Sequence, residues 1–287
     1  MASSSLPAMK TSPKYVFFTD FDGTITTRDS NDYLTDNLGY GTALRKQGNK
    51  DVLEDRLAFR DSFQGMMDSV KTPYNQCIAT LISTIQLDPG FASFYKWSRA
   101  NNVPVVVLSS GMEPIIRALL VHLIGPDADA IQIVSNNVAP RDGKSLHDEG
   151  GWQIVFHDDS HFGHDKSLEI RPYAALPDGE RPVMFYAGDG VSDLSAAKET
   201  DLLFAKKGHG IRRSRAPPCY PSKIEHILTK LADLTLYCIR EKVPFTEFED
   251  WSTILSTVQD IVAGKTTVKE VAEQGIHDTE VNQTTTK

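Results

Sequence analysis

Apolar residues along this chain come in short unbroken runs, and three of the runs end abruptly in acidic or small residues. Tyr15-Val16-Phe17-Phe18 leads into Thr19-Asp20-Phe21-Asp22-Gly23-Thr24, Val103-Pro104-Val105-Val106-Val107-Leu108 into Ser109-Ser110-Gly111, and Val183-Met184-Phe185-Tyr186-Ala187 into Gly188-Asp189-Gly190. Such β-branched and aromatic runs predict strands buried on both faces, as in a parallel sheet. A further core strand is expected near Leu202 to Ala205, an edge element at Phe245 to Phe248, and a hairpin of short strands at Ile131 to Ser135 and Trp152 to His157.

The remaining apolar positions follow a helical period. Ser30-Asn31-Asp32 can cap a helix through Leu38; Leu53, Leu57, Phe63, Met67 and Val70 recur at near-helical spacing; Pro73 opens a segment through Ile85, closed by the Asp88-Pro89-Gly90 turn. Helices are also expected from Phe91 to Asn101, from Pro114 to Ile124, over Leu194 to Lys198 with Ser192 as cap, and from Trp251 to Val262. The pattern is that of an α/β protein, with a core at 15–28 and 89–263 and a helical block inserted at 29–88. Residues 1–14 are expected to be a disordered leader and 264–287 a largely disordered tail.

The strand ends carry the chemistry, because open α/β sheets bind ligands at the carboxyl ends of their strands. Asp20 and Asp22 point to one side of an extended backbone, so one can serve as nucleophile and metal ligand and the other as proton donor and acceptor. Ser109 or Ser110, with Gly111 ahead of a helix start, can donate to a phosphate oxygen. Lys166, in Gly163-His164-Asp165-Lys166-Ser167, can neutralise a phosphoryl group and nearby aspartates. Asp189 and Asp193 are hard oxygen ligands of the kind Mg²⁺ takes. Each piece alone has a plain alternative: a solvated Asp-Gly turn, an N-cap serine, a solvated lysine. Their joint order favours the chemical reading.

Asp-x-Asp-Gly-Thr, then Ser, then Lys, then Gly-Asp-Gly-x-x-Asp resembles the haloacid dehalogenase superfamily over about residues 15 to 205. The resemblance implies a Rossmann-like core with an α-helical cap. An acid/base aspartate at Asp22 implies Mg²⁺-dependent hydrolysis of phosphate monoesters rather than of carbon–halogen bonds. It further implies an aspartyl-phosphate on Asp20, metal held by Asp20, the Asp22 carbonyl and Asp189, and Asp193 binding a metal water or orienting Lys166. Ser109 takes the phosphate-binding place, and Ser110 then stands where the family usually has glycine, within reach of substrate.

The cap resembles the phosphoserine phosphatase-like branch, which implies substrate contacts from Asp29 and from Gln64. Gln64 stands where that branch has a carboxylate-binding arginine and cannot replace its charged fork, so phosphoserine is disfavoured, with Arg60 one turn earlier as a substitute. Asp29-Ser30-Asn31-Asp32-Tyr33-Leu34, Phe162-Gly163-His164-Asp165-Lys166-Ser167 and Gly188 to Ala197 resemble fungal members related to a yeast polyol phosphatase. Sugar or polyol phosphates are therefore the implied substrates, with methionine-salvage phosphates, phosphotransfer to an alcohol, or non-catalytic phosphate binding as alternatives. Residues 209–231, including Arg212-Arg213-Ser214-Arg215, depart from those relatives and read as an insertion loop or a gene-model artefact.

Composition narrows the setting. The 287 residues are 40% hydrophobic with a net charge of −8, enough for one sizeable core and a smaller accessory unit. No basic tract calls for nucleic acid or an anionic membrane, and no apolar run is long enough to span a bilayer. The partner expected is a small phosphate ester. Cys77, Cys219 and Cys238 have no metal or disulfide spacing, which fits a reduced cytoplasmic protein, with the nucleus as a second compartment. His157, His161 and His164 lie among Asp158, Asp159 and Asp165, where a second metal site competes with an ordinary polar loop.

Overall fold

A computed structural model describes residues 6–190, 193–207, 238 and 241–285. Seven strands lie in the order β4-β3-β2-β1-β5-β6-β7, where β1 is Tyr15–Thr19, β2 Val105–Met112, β3 Gln132–Pro140, β4 Trp152–Val155, β5 Val183–Gly188, β6 Leu202–Lys206 and β7 Phe245–Phe248. β1 pairs with β5, β5 with β6 and β6 with β7, all parallel, and β3 with β4 antiparallel. The expected α/β class is therefore observed, with β7 at one edge. Among the described residues no helix is long and apolar enough to cross a membrane.

The chain divides into two compact units. The first comprises residues 1–20, 88–106 and 166–287. It holds β1, β5, β6, β7 and the helices α5 (Phe91–Ala100), α7 (Lys166–Ala174), α8 (Leu194–Ala197), α9 (Trp251–Val262) and α10 (Val268–Thr285). Its core is aromatic: Phe17 meets Phe94 edge-on at 4.8 Å, and Trp251 lies 4.8 Å from both Phe91 and Phe94. All of these rings are fully buried. Large rings on β1, α5 and α9 thus bind strand to helix through apolar area and edge-to-face geometry.

The second unit comprises residues 21–87 and 107–165. It contains the four helices of the expected insertion, α1 (Ser30–Leu38), α2 (Thr42–Leu53), α3 (Phe59–Ser69) and α4 (Tyr74–Ile82), together with α6 (Glu113–Ile124), β3 and β4. The stripe from Leu53 to Val70 is divided between two helices rather than one, because Asp55 takes a left-handed φ of 55° at the break. Trp152 joins the hairpin to the helices, donating its indole N–H to the Thr72 carbonyl at 2.9 Å and packing edge-on against Tyr74.

Both termini depart from the expected disorder. Pro7–Met9 form a 3₁₀ turn, Ala8 is buried with its N–H on the Tyr173 hydroxyl, and the Thr11 hydroxyl donates to Asn102 at 2.5 Å. The leader is thus fastened from residue 6 onward. The tail forms α10, whose first turn is closed reciprocally: Thr267 N–H donates to the Glu270 carboxylate at 2.8 Å, and Glu270 N–H to the Thr267 hydroxyl at 3.2 Å. This capping box starts a helix that packs on β7 through Ala272, Gly275 and Thr279. The expected insertion at 209–231 and the cap at Ser192 lie outside the described residues.

Candidate active site

In the first unit, a buried cluster gathers around the end of β1. Asp20 N–H donates to the Ala187 carbonyl at 2.9 Å, extending the β1–β5 pairing one residue past the strand and fixing the Asp20 backbone. Lys166, fully buried at the start of α7, stands 3.0 Å from Asp20 Oδ1 and 2.7 Å from Asp193 Oδ1. Asp193, also fully buried, takes four donors: Lys166 Nζ and the Tyr186 hydroxyl (2.5 Å) on Oδ1, and the N–H groups of Asp189 (3.0 Å) and Gly190 (3.1 Å) on Oδ2. Gly188 is required beside it, since a Cβ there would fall 2.5 Å from the Asp193 carboxyl.

The electrostatics follow from that packing. Burial alone would lower Lys166, but Asp193 and Asp20 outweigh it and hold the ammonium above the ordinary lysine range. Burial, then Asp193 and Asp20, push the Tyr186 phenol well above its ordinary value, so it remains a donor. One oxygen each from Asp20, Asp189 and Asp193 lies within 4.8 Å of the others, a hard-oxygen set that fits a small divalent cation. Asp193 takes four donors, and its Oδ1 orients Lys166.

In the second unit, Asp22 is 8% exposed and is held by Ser30 N–H on Oδ1 (2.7 Å) and by the Asn31 amide on Oδ2 (2.9 Å). The start of α1 thus grips this carboxylate, and Asp29 makes the grip possible by capping α1 through the N–H groups of Asn31 (2.7 Å) and Asp32 (2.8 Å). Burial raises Asp29 against these bonds. Asp32 is pushed up to about 7 by burial and by Asp29, with Arg45 opposing.

Ser109 and Ser110 lie within β2, which runs past the expected strand end to Met112, and Met112 rather than a serine is the N-cap of α6. The Ser109 hydroxyl accepts from Gly111 N–H at 3.0 Å. Two buried side chains hold the backbone on either side of that hydroxyl. His164 Nδ1 lies 2.8 Å from the Ser109 carbonyl, which fixes it as the donor, and Asn136 Nδ2 donates to the Ser110 carbonyl at 2.7 Å. A Cβ on Gly111 would lie 3.2 Å from Asp22 Oδ2, 3.2 Å from Ser109 Oγ and 3.4 Å from Asn31 Nδ2.

Other expected residues stand elsewhere. Gln64 donates to Asp68 on its own helix at 3.0 Å, and Arg60 lies over the Phe156 ring and donates to the Asp158 carbonyl at 2.8 Å. Of the three histidines, His157 and His164 stack edge-on at 4.7 Å, while exposed His161 packs on Phe162. Sequence reasoning missed Tyr186 and Asn136. The available signals were a lone hydroxyl in the β5 run and an amide in β3 beside the predicted hairpin.

Comparison with known proteins agrees with this geometry. The family of haloacid dehalogenase-like hydrolases matches residues 17–198, and the chain belongs to it. It is 49% identical to Pdp3-interacting factor 1 of Schizosaccharomyces pombe, over 85% of this chain and 94% of that one. It is 46% identical to the polyol phosphate phosphatase PYP1 of Saccharomyces cerevisiae, over 91% and 99%. A phosphoserine phosphatase solved with a phospho-aspartyl intermediate analogue has the same fold, with a TM-score of 0.51 at 18% identity over 80% of this chain and 99% of that one.

Proposed function

We propose that this protein hydrolyses small phosphate monoesters, sugar or polyol phosphates above others, through an aspartyl-phosphate on Asp20. The observation that carries the reading is the buried Asp20–Lys166–Asp193 cluster, which keeps a carboxylate beside a fixed cation at the mouth of a parallel sheet. The 46% identity to a polyol phosphate phosphatase favours the substrate class.

Asp20 attacks phosphorus, and the ester oxygen departs as the Asp–O–P bond forms. Asp22, two residues on, gives its proton to that oxygen, then takes one from the water that cleaves the acyl phosphate. Lys166 and Ser109 balance charge on the phosphoryl oxygens. Mg²⁺ would be held by Asp20, Asp189 and the Asp22 carbonyl, and when bound it supplies positive charge against the phosphoryl group. Asp29 and Asp32 line the same cap helix as Asn31 and suit a hydroxyl-rich leaving group.

The test is phosphate release from ribitol, sorbitol and erythrose phosphates and phosphoserine, with Mg²⁺ or chelator. Release should require the metal, favour the polyol and sugar esters, and fall by on the order of 10⁴-fold or more in Asp20→Asn. Near-wild-type turnover in that variant would sink the assignment.

A further inference from the structure

The second unit carries a cavity of about 520 Å³, lined by Lys71, Arg141, Lys144, Glu149 and Gly150. Its volume suits a small-molecule ligand. Three cations face one carboxylate there, on a chain whose net charge is −8. None of the five residues takes part in the candidate active site.

The two lysines converge. A Cβ on Gly150 would lie 3.3 Å from Lys71 Cδ and 3.8 Å from Lys144 Nζ, so both side chains meet over one backbone position. Lys71 Nζ donates to the Asp68 carbonyl at 2.6 Å, and Lys144 Nζ to the Glu149 carbonyl at 2.9 Å. Neither ammonium has an ion pair among the described residues. Arg141 differs, since it pairs with Asp68 and donates its Nε to the Trp152 carbonyl at 3.0 Å. Two ammonium groups brought to one place without a carboxylate repel each other, and an anion between them replaces that repulsion by attraction.

The frame under the lysines is fixed by bonds between distant parts of the chain. Gly150 N–H donates to the Lys71 carbonyl at 2.6 Å and Tyr74 N–H to the Leu146 carbonyl at 3.1 Å, beside the Trp152 bond to Thr72. These bonds tie the loop between β3 and β4 to the link between α3 and α4. A frame held in this way lowers the ordering cost of binding.

We propose that Lys71 and Lys144 bind a phosphate group, inorganic or carried by a small metabolite, at a site of its own in this unit. A phosphate dianion brings two charges and several acceptor oxygens, which match two ammonium groups. The inference stands apart from the phosphatase reading and goes beyond it.

The test is a ¹H–¹⁵N NMR titration of the full chain with inorganic phosphate and, separately, with methylphosphonate, a stand-in for a carbon-bound phosphate that cannot be hydrolysed. The Gly150 amide should shift and saturate. Lys71→Met/Lys144→Met should weaken that response by roughly tenfold or more. Both side chains are exposed, so this variant should fold and turn over p-nitrophenyl phosphate at the wild-type rate. Lys46→Met/Lys96→Met removes the same charge from exposed positions elsewhere and should leave the Gly150 response intact. Tighter binding of phosphate assigns the free ion and tighter binding of methylphosphonate a carried group; either result upholds the site. The proposal is overturned by a Gly150 amide that does not saturate, by a response that survives in Lys71→Met/Lys144→Met, or by an equal loss in Lys46→Met/Lys96→Met. A saturating Gly150 shift in a protein that hydrolyses no ester removes the phosphatase reading and leaves this one.

Discussion

Two aspartates separated by a single residue stand in opposite surroundings. Asp20 faces a buried ammonium in a cluster where Asp193 alone takes four donors. Asp22 is held by a backbone N–H and a side-chain amide, both neutral. A cation beside a carboxylate favours the anion, and the two N–H donors on Asp22 orient its oxygens without bringing a charge. The difference teaches that two residues of one type, both just past the end of β1, take their electrostatic surroundings from their neighbours.

The comparison breaks most violently at Lys166. Lys166→Met leaves Asp20 and Asp193 facing each other without their cation. Stability should fall by roughly 3–5 kcal/mol, as for other broken buried pairs. Turnover in whatever folds should fall by roughly 10²–10³-fold. Thermal denaturation and single-turnover kinetics measure the two; an unchanged melting point would mean the cluster is not the electrostatic unit described.

Asp22→Asn tests the neutral side. The fold should survive, because the side chain keeps its shape and one oxygen keeps its donor. Turnover of an alkyl phosphate should drop by roughly 10²–10⁴-fold. With p-nitrophenyl phosphate, whose leaving group needs no proton, the loss should be far smaller. Equal losses on both esters would remove Asp22 from the proton-transfer role.

The smallest effect is pH dependence. Asp32 titrates near 3.8 in the unfolded chain and is pushed up to about 7 in the fold. The folded form therefore binds the extra proton between these values. The associated stability is full below about pH 4 and is lost as pH rises to about 7. Melting points of Asp32→Asn should fall less steeply than wild type across that window; parallel curves would show that Arg45 fully offsets the burial.

Much of this was legible in the chain. Asp20, Lys166, Asp189 and Asp193 were readable because each main piece ends an apolar run or follows one in fixed order, and strand ends are where α/β chemistry sits. The helix from Trp251 to Val262 was readable because its apolar residues repeat at helical spacing. Tyr186 and Asn136 were not, because each makes its hydrogen bond to a residue outside its own strand, and such partners leave no periodic trace. Gln64 shows a related limit: its place in the sequence does not say which way a helical side chain turns, and here it donates to Asp68 on the next turn. The tail misled by polarity, although Thr267-Val268-Lys269-Glu270 carried a start signal that its composition obscured.

That last helix has a practical consequence for anyone handling the protein. β7 is the outer strand of the sheet, and α10 runs so close over it that a Cβ on Gly275 would strike the Phe245 carbonyl at 2.3 Å. A fragment cut after Ala263 would strip this cover from a strand carrying Phe245 and Phe248. Uncovered edges of that kind recruit other chains. Trimming this polar end would therefore favour self-association through β7, and a purification handle is better placed at the other terminus.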